Sequence, residues 1–475
     1  MKKTKIVCTI GPASDSEKTL KKLFLSGMNV ARLNFSHNTH AYHMRVFNRI
    51  RKISQKMNLP IAILQDLQGP RIRVGEIAKE GIILKKNSEV ILTGAERYSK
   101  LEIPVTYAKL AEDLQFGERV LIEDGLIKLK VKKILNGKIY CEVLVPGKII
   151  SHKGLNFPDS KLSISSLSDK DKEDLKLGVR LGVDYMALSF VREAQEVLFL
   201  RRLIEEEVKN AKIKQIYPIK IIVKVEQKEA IDNFSEILQV SDGIMVARGD
   251  LGIEMPAEDV PILQKMIIDR CLSAHKPVIV ATQMLDSMIK NPQPTRAEVS
   301  DVANAVIDHT DAVMLSGETA FGQYPVEAVE MMSRIIKKTE DSIYDDLVIQ
   351  TKTRKIVPSS DAIAKVAKIL SQNIPAKLIL VASLSGESAR IVSRYRPDLP
   401  IYAITADERI RRQLNLSWGI LSFNFPKVKE IEKLVDRAIV IFKKQKLVKK
   451  NEQIIVITGS TSGKTGINSV EIKVI

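Results

Sequence analysis

The chain has 475 residues, 45% of them hydrophobic, which is enough for two or three domains with cores of their own. Its formal net charge of +17 at pH 7 would suit nucleic acid, an acidic membrane or small anions, although lysines on solvent-facing surfaces account for much of it. Aromatic residues make up only 5%, no nucleic-acid-binding motif is present, and no run of about 20 apolar residues would span a bilayer. The three cysteines lie far apart in apolar segments, which indicates core thiols in a reducing compartment. We therefore expect a cytoplasmic protein that binds neither nucleic acid nor membrane.

An alternation of strands and helices opens the chain. Strands are predicted at residues 5–10, 29–36 and 61–66. Ser14 or Asp15 would cap a helix that runs to Gly27, and a longer helix would extend through residue 57. From about residue 71 to residue 157 the pattern changes to short strands and turns, which is typical of a small all-β domain.

The alternation resumes with a helix at residues 169–182. Further strands, each followed by a helix, are predicted at residues 185–191, 219–226, 243–250, 277–284 and 312–319. Eight parallel strand–helix units that close on themselves form a (β/α)8 TIM barrel, whose chemistry lies at the C-terminal ends of its strands. An all-β domain inserted after the third strand leaves from that rim, so we expect it to cover the site as a lid.

These patterns divide the chain into an α/β barrel, its inserted lid and a last domain. The barrel takes residues 1–70 and 166–344, the β-barrel lid takes residues 71–165, and an open α/β domain takes residues 345–475. In the last domain, strands are predicted at residues 377–383, 401–405, 453–458 and 469–474, after a polar linker. A run of lysines between residues 443 and 450 ends a helix, where the helix dipole explains it without a partner.

Polar side chains are predicted at the C-terminal end of nearly every barrel strand. They are Arg32, Asn34 and Ser36, then Asp66 with Arg73 just beyond, Ser189, Lys224 with Glu226, Asp250, Thr282 and Ser316. If each of these side chains only stabilised the fold, their common position at one rim would be a coincidence repeated at almost every strand. We therefore favour a catalytic mouth.

The residue types at this mouth indicate a metal and an anionic substrate. Lys224 and Glu226 leave their strand on the same face, and the next strand ends in Asp250. A structural ion pair is the simpler explanation, but two carboxylates beside a lysine also suit Mg²⁺ holding an anion. Arginine side chains bind phosphate oxygens bidentately, and Lys224 would neutralise an oxyanion or a moving phosphoryl group.

Two motifs are set aside. The segment Gly459–Thr465 is similar to a P-loop, but it has one residue too few between its glycines and a strand follows it. We interpret it as a loop. His37, His40 and His43 lie on one side of a helix and could bind zinc, but no cysteine cluster or HExxH pattern accompanies them. A helix facing solvent or a nucleotide is favoured.

Several segments of the chain resemble pyruvate kinases. They are residues 5–14 (KIVCTIGPAS), 29–37 (NVARLNFSH), 244–252 (IMVARGDLG), 281–284 (ATQM), 294–298 (PTRAE) and 314–319 (MLSGET). The resemblance covers almost the whole chain in the same domain order. It implies an allosteric homotetramer, with regulation and oligomerisation assigned to residues 345–475. The implied reaction transfers a phosphoryl group from phosphoenolpyruvate to ADP, giving pyruvate and ATP in the last step of glycolysis.

The resemblance also implies roles for individual residues. Glu226 and Asp250 would hold Mg²⁺, and Lys224 would stabilise the transition state. Substrate would be bound by Arg32, Lys224, Gly249, Asp250 and Thr282, and the nucleotide by Asn34, Phe35, Ser36, His37, Arg73 and, from the lid hinge, Lys153. We take Lys224, Arg73, Thr282 and Ser316 as the catalytic set, with Thr282 and Ser316 conducting a proton through water.

The sequence departs from the family at a monovalent cation site. Many relatives carry Asp-Thr-Lys-Gly-Pro-Glu after the third strand and use K⁺, with ligands at the positions of Asn34, Ser36, Asp66 and Leu67. This chain reads DLQGPR over residues 66–71, with Arg71 in place of the glutamate. A fixed positive charge close to the site would repel a cation. We expect Arg71 to supply the charge that K⁺ supplies elsewhere, so that K⁺ is dispensable.

A second departure concerns a candidate effector site in the last domain. Ser383, Ser385, Ser388 and Lys464 could contact a phosphorylated effector, but Glu387 stands where such relatives have Lys or Arg. A carboxylate opposes a phosphate. We therefore expect a different or a weakly bound effector.

Two other functions stay open at this point. A Schiff-base aldolase on the same barrel would use Lys224 but would not need the pair of Glu226 and Asp250, and borohydride trapping with pyruvate would support it. A nucleic-acid-binding protein would use the positive charge, and retention on DNA above physiological salt would support that.

Overall fold

The structure is a computed structural model that describes residues 2–95, 99, 102–214, 217–345, 357–426, 431–459 and 466–475. Eight parallel strands form a closed barrel. In chain order, and numbered here as barrel strands 1 to 8, they are Lys5–Thr9, Val30–Asn34, Ala62–Asp66, Tyr185–Leu188, Lys220–Val225, Gly243–Ala247, Val278–Ala281 and Ala312–Leu315. Strand 1 pairs with strands 2 and 8, which closes the ring and confirms the predicted TIM barrel.

Helices surround the barrel and bury one face each against it. They are Glu17–Ser26, His40–Lys56, Asp169–Leu181, Ala194–Asn210, Lys228–Asp232, Phe234–Val240, Val260–Ser273, Arg296–Ile307 and Pro325–Glu340. The strands are apolar on both faces because side chains fill the barrel interior on one side and meet the helices on the other. Two short helices, Arg248–Glu254 and Gly317–Ala320, and a 3-10 turn at Asp286–Ile289 follow strands 6, 8 and 7.

The rim differs from the sequence prediction at several strand ends. Strand 6 stops at Ala247, so Asp250 lies in the first turn of a helix and not at the end of a strand. Strand 7 stops at Ala281, and Thr282 follows with a φ of 68°. The apolar pattern continued past these strands because the turns and helices that follow are themselves buried. The first helix is capped by Ser16, because the Ser14 hydroxyl is buried and accepts a hydrogen bond from the Gly11 N–H at 3.2 Å.

The inserted domain consists of a six-stranded sheet and a two-stranded sheet. The large sheet contains Glu89–Thr93, Glu102–Pro104, Arg119–Ile122, Ile127–Leu135, Lys138–Val145 and Leu155–Asn156, the small one Ile82–Leu84 and Gly147–Ile149, and a short helix spans Leu110–Asp113. Ile127–Leu135 was not predicted, although its apolar residues alternate with lysines as in a strand with one exposed face. Isolated bridges from Arg73 to Gly154 and from Val74 to Val105 begin the domain. The boundaries at residues 71 and 165 stay predictions.

The last domain is a five-stranded sheet with helices on both sides. Its strands are Ala376–Ala382, Ile401–Thr405, Ile420–Asn424, Gln453–Gly459 and Ile467–Val474, and its helices Ser359–Asn373, Glu387–Arg394, Glu408–Leu414 and Ile431–Lys444. Ile420–Asn424 was missed because it follows Gly419 in a short, mixed segment. Asp184 ties the domain to the barrel, since its buried carboxylate pairs with Arg51 at 2.7 Å and Arg412 at 2.8 Å. Over the described ranges, no helix is both long and apolar enough to cross a membrane.

Candidate active site

Lys224 lies at the centre of the barrel mouth, near the end of strand 5, and is 8% exposed. Its ammonium is 2.8 Å from Glu226 Oε1 and 3.6 Å from Asp66 Oδ1, and it donates a hydrogen bond to Ser189 Oγ at 2.9 Å. Burial works against the charged amine, but the charges of Asp66 and Glu226 together outweigh it and raise the pKa of Lys224. The amine is therefore a fixed positive charge at neutral pH.

Asp66 joins this lysine to Arg32 on the neighbouring strand. Arg32 Nε donates to Asp66 Oδ2 at 2.6 Å, and its NH1 group donates to Thr9 Oγ1 at 2.8 Å. Burial alone would raise the pKa of Asp66, yet Lys224 and Arg32 lower it below its usual value. Asp66 is thus an ionised carboxylate that holds two cations at the mouth, one from each side.

Glu226 follows strand 5 and is almost fully buried. Its Oε2 accepts the N–H of Phe190 at 2.7 Å, and Phe190 adopts a left-handed φ of 56° that presents this N–H. Burial raises the pKa of Glu226 despite its contact with Lys224, and the charge of Asp250 adds to the effect. A carboxylate whose ionisation is opposed by burial and by a second carboxylate is an arrangement that a cation relieves.

The carboxylates also fit the ligand preferences of Mg²⁺. Glu226 Oε1 and Asp66 Oδ1 are buried without a hydrogen-bond partner of good geometry. In the part of the chain that the structure describes, no three acidic, histidine or cysteine side chains gather tightly enough to enclose an ion. Mg²⁺ is usually held by one or two carboxylates together with water and substrate oxygens. Glu226 and Asp250 therefore suit a metal that is completed by its substrate.

The loop after strand 7 meets the helix that carries Asp250. Thr282 Oγ1 accepts the N–H of Gly249 at 2.8 Å. A β-branched residue with positive φ is uncommon, and such strain persists where the surroundings hold it in place. Here Arg248 holds it, since its guanidinium donates to the Thr282 carbonyl at 2.8 Å and pairs with Asp301 at 2.6 Å. Arg248 and Asp301 were absent from the sequence predictions, because Arg248 follows strand 6 whereas Asp301 lies on the distant helix Arg296–Ile307.

Ser316 lies at the end of strand 8, half-buried, and its N–H donates to Glu318 Oε2 at 2.7 Å. The other oxygen of Glu318 accepts the N–H of Leu285, at 3.1 Å, in the loop after strand 7. Glu318, buried and absent from the sequence predictions, therefore fixes the spacing between the Thr282 loop and Ser316. Its place two residues after Ser316 in the MLSGET segment was the available signal.

The residues predicted at the nucleotide form the turn after strand 2. Asn34 Oδ1 accepts the Ser36 N–H at 3.1 Å, and Phe35 stacks on His43 with ring centroids 4.0 Å apart. His43 also contacts the carbonyl of His37 at 2.8 Å, and His40 instead contacts Asp174 at 2.6 Å. The histidines thus have separate structural partners.

Arg73 and Lys153 reach the site from the base of the lid. Together with Arg71 and Asp250 they line a cleft of about 430 Å³ between lid and barrel. Arg73 donates to the carbonyl of His152 at 2.8 Å, and Lys153 forms an ion pair with Glu123. Arg71 is exposed, with its guanidinium 5.9 Å from the ring centroid of Phe190, whereas Asp66 pairs with Arg32 and Lys224.

The candidate effector turn begins the helix Glu387–Arg394. Ser383 and Ser388 are buried, and Ser388 Oγ donates to the Gly466 carbonyl at 3.4 Å. Ser385 Oγ accepts the N–H of Glu387, also at 3.4 Å. Lys464 and the P-loop-like segment after Gly459 lie outside the described residues.

The chain is similar to known proteins over almost its whole length. Residues 1–329 match the family model "Pyruvate kinase, barrel domain", and residues 361–473 match "Pyruvate kinase, alpha/beta domain". A pyruvate kinase of Geobacillus stearothermophilus is 43% identical over 98% of this chain and 79% of its own length. One of Staphylococcus saprophyticus is 46% identical with the same coverage. A crystal structure of a pyruvate kinase from Cryptosporidium parvum superposes with a TM-score of 0.92 at 36% identity, covering 100% of this chain and 96% of that one. The chain belongs to the pyruvate kinase family, a family of phosphotransferases.

Proposed function

We propose that the protein transfers the phosphoryl group of phosphoenolpyruvate to ADP, giving pyruvate and ATP. The observation that carries this proposal is the position of Lys224, a buried and fixed positive charge between the carboxylates of Asp66 and Glu226. Phosphoryl transfer is mostly positioning and charge neutralisation, which is what this arrangement supplies.

The reaction follows from the charges of the side chains. Arg32, with NH2 held 2.6 Å from Asp66, would bind the phosphate of the substrate. Lys224 would neutralise the charge on the transferring phosphoryl group and then on the enolate oxygen. The substrate carboxylate would lie at the first turn of the helix Arg248–Glu254, near Gly249 and Thr282. Protonation of the enolate would proceed through water that Thr282 and Ser316 hold.

Glu226 and Asp250 would hold Mg²⁺, with Asp66 facing the same space. When bound, the ion supplies positive charge that binds substrate oxygens and offsets the buried carboxylates. The protein itself contributes these carboxylates and Lys224. Together they fix where a substrate with two anionic groups can lie.

The nucleotide would lie between the turn of residues 34–37 and the lid. Arg73 and Lys153 line the cleft, and Lys153 is paired with Glu123 on the lid itself. Because Glu123 is also on the lid, the Lys153 amine can exchange this carboxylate for a nucleotide phosphate without moving far. Closure of the lid would then exclude water from the transferring group.

We also propose that the enzyme works without K⁺. Arg71 faces the cleft and lies against Phe190, whose own N–H is bonded to Glu226. A guanidinium here adds a permanent positive charge at the edge of the site. Wild type should keep its activity when tetramethylammonium replaces K⁺, and Arg71→Glu should become K⁺-dependent. Strong activation of wild type by K⁺ would contradict this proposal.

A homotetramer is proposed as the assembly, and an open sheet edge supports association of copies. Ile467–Val474 is the edge strand of the last domain, and over the described residues it pairs on one side only. Val474 is 62% exposed, and Ile369 on the adjoining helix is 49% exposed. An exposed apolar edge is a surface for pairing with another chain. Light scattering should give four times the chain mass, and a monomer would contradict the proposal.

We also propose a cytoplasmic location and, at Ser383, Ser385 and Ser388, a different or a weakly bound effector. Glu387 opens the helix at that turn and opposes a phosphate. Titration with sugar phosphates should leave phosphoenolpyruvate saturation almost unchanged. Tight activation by fructose bisphosphate would overturn this expectation.

The test of the proposed reaction is ATP and pyruvate formation from phosphoenolpyruvate, ADP and Mg²⁺. A Schiff-base aldolase would need a neutral lysine, whereas the neighbours of Lys224 raise its pKa and keep it charged. Borohydride in the presence of pyruvate should therefore leave Lys224 unmodified. Covalent trapping, with no ATP formed, would favour the aldolase instead.

A further inference from the structure

A side-chain hydrogen bond joins the lid to the helix that carries Asp250. Asn156 Nδ2 donates to Glu254 Oε1 at 3.1 Å. Asn156 ends the lid strand Leu155–Asn156, and Glu254 ends the helix Arg248–Glu254. Neither residue belongs to the catalytic or binding sets described above.

The position of Glu254 on its helix makes this contact relevant to the site. Residues four apart on a helix lie on the same face, so Glu254 is one turn from Asp250 and faces the same cleft. On the lid, Asn156 is paired with Leu121 of the strand Arg119–Ile122. Glu123 and Asp124, which follow that strand directly, line the cleft as well. Movement of the lid strand would therefore displace both the helix Arg248–Glu254 and the residues that line the cleft.

The surroundings of Glu254 argue against a purely stabilising role. The carboxyl is 8% exposed, and no lysine, arginine or histidine of the described chain lies within ion-pair distance of it. The charged groups around it are Arg119 and Asp159 from the lid and Glu229 from the barrel. Arg119 is already bound to both oxygens of Asp159, at 2.8 and 2.7 Å. Burying an unpaired carboxyl costs free energy, and such groups concentrate where function requires them.

We propose that Glu254 is a positioning residue, which through its hydrogen bond to Asn156 couples closure of the lid to the placement of the helix that carries Gly249 and Asp250. This inference rests on the proposed phosphoryl transfer. The bond between Asn156 and Glu254 holds the lid over the cleft only while the helix Arg248–Glu254 keeps its position. One contact therefore brings the nucleotide at the lid close to the substrate at the helix.

Four variants test the coupling: Glu254→Ala, Glu254→Gln, Asn156→Ala and the double variant Asn156→Ala/Glu254→Ala. The two single alanine variants should each lower kcat/KM for ADP by about tenfold, since a small misplacement of reacting groups is costly. The double variant should lose no more than the larger single effect, because both remove one contact. Glu254→Gln keeps the acceptor oxygen and should stay within about twofold of wild type at pH 7.

Lid closure itself is measured by hydrogen exchange in residues 152–158, with ADP, phosphoenolpyruvate and Mg²⁺ present. Exchange should be faster in Asn156→Ala and Glu254→Ala than in wild type, and unchanged in Glu258→Ala, an exposed glutamate beyond the same helix. Multiplicative losses in the double variant, or a wild-type kcat/KM for ADP in Asn156→Ala, would overturn the inference while leaving the proposed reaction intact. A wild-type enzyme that makes no ATP would instead overturn the proposed reaction.

Discussion

Replacing Glu254 by glutamine should change how the stability of the protein depends on pH. Burial, chiefly, raises the pKa of Glu254 from 4.5 to about 7. The folded protein therefore binds this proton more tightly than the unfolded chain does. The contribution of the carboxyl is most favourable below pH 4.5, and it is lost as the pH rises toward 7.

The size of the effect follows from that shift. A difference of about 2.5 pKa units corresponds to about 3 kcal/mol at pH 8, where the folded protein holds an ionised carboxyl without a counter-ion. Unfolding entropies of about 2.1 cal/mol/K per residue give about 1 kcal/mol/K for a chain of 475 residues. The variant should thus gain about 3 °C in Tm relative to wild type between pH 4.5 and pH 8. This is an upper value, because opening of the lid would hydrate the carboxyl and relieve part of the cost.

The assay is differential scanning fluorimetry of wild type, Glu254→Gln and the control Glu258→Gln at closely spaced pH values. Comparing Tm differences at two pH values removes any constant effect of exchanging a carboxyl for an amide. The exposed control should show no dependence on pH. A difference between Glu254→Gln and wild type that stays constant from pH 4.5 to pH 8 would refute the reasoning.

Two further substitutions test other parts of the structure. Asp184→Ala should destabilise the protein by about 3–5 kcal/mol, because Arg51 and Arg412 would be left as unpaired cations; a melting temperature equal to that of wild type would contradict this. Thr282→Ala should lower kcat by about 10²-fold, because the Gly249 N–H loses its acceptor, whereas Thr282→Ser should restore most of the activity. Equal rates for the alanine and serine variants would assign the effect to the backbone of residue 282 and not to its hydroxyl.

The barrel strands and the polar residues at their ends could be predicted from the sequence, because the signals for both are local. Buried parallel strands are short apolar runs, and polar residues such as Lys224 and Asp66 stand out at their ends. The lid strand Ile127–Leu135 has no continuous apolar run, because its buried residues alternate with exposed lysines, and this weaker alternating signal was overlooked. Where strands ended was also misjudged, as at Ala247, because burial continues into the following turns.

The network that orders the site could not be predicted from local pattern. Arg248 holds the Thr282 loop through a carbonyl, and Glu318 accepts backbone N–H groups from the loops after strands 7 and 8. The bond between Asn156 and Glu254 joins residues 98 apart in the chain. Such contacts depend on how the strands and the lid are placed in space. The residues around Asn156 and around Glu254 give no local pattern that predicts the contact.

The most direct measurement compares wild type with Lys224→Met in a coupled assay of pyruvate formation from phosphoenolpyruvate, ADP and Mg²⁺. Lys228→Met, an exposed lysine just beyond the same strand, is the matched control. Wild type and control should make ATP at similar rates, and Lys224→Met should lose about 10³-fold or more in kcat, since the charge that meets the transferring phosphoryl group is gone. A Lys224→Met enzyme that turns over within about tenfold of wild type would contradict the role given to this lysine. A wild-type protein that makes no ATP would contradict the proposed reaction as a whole.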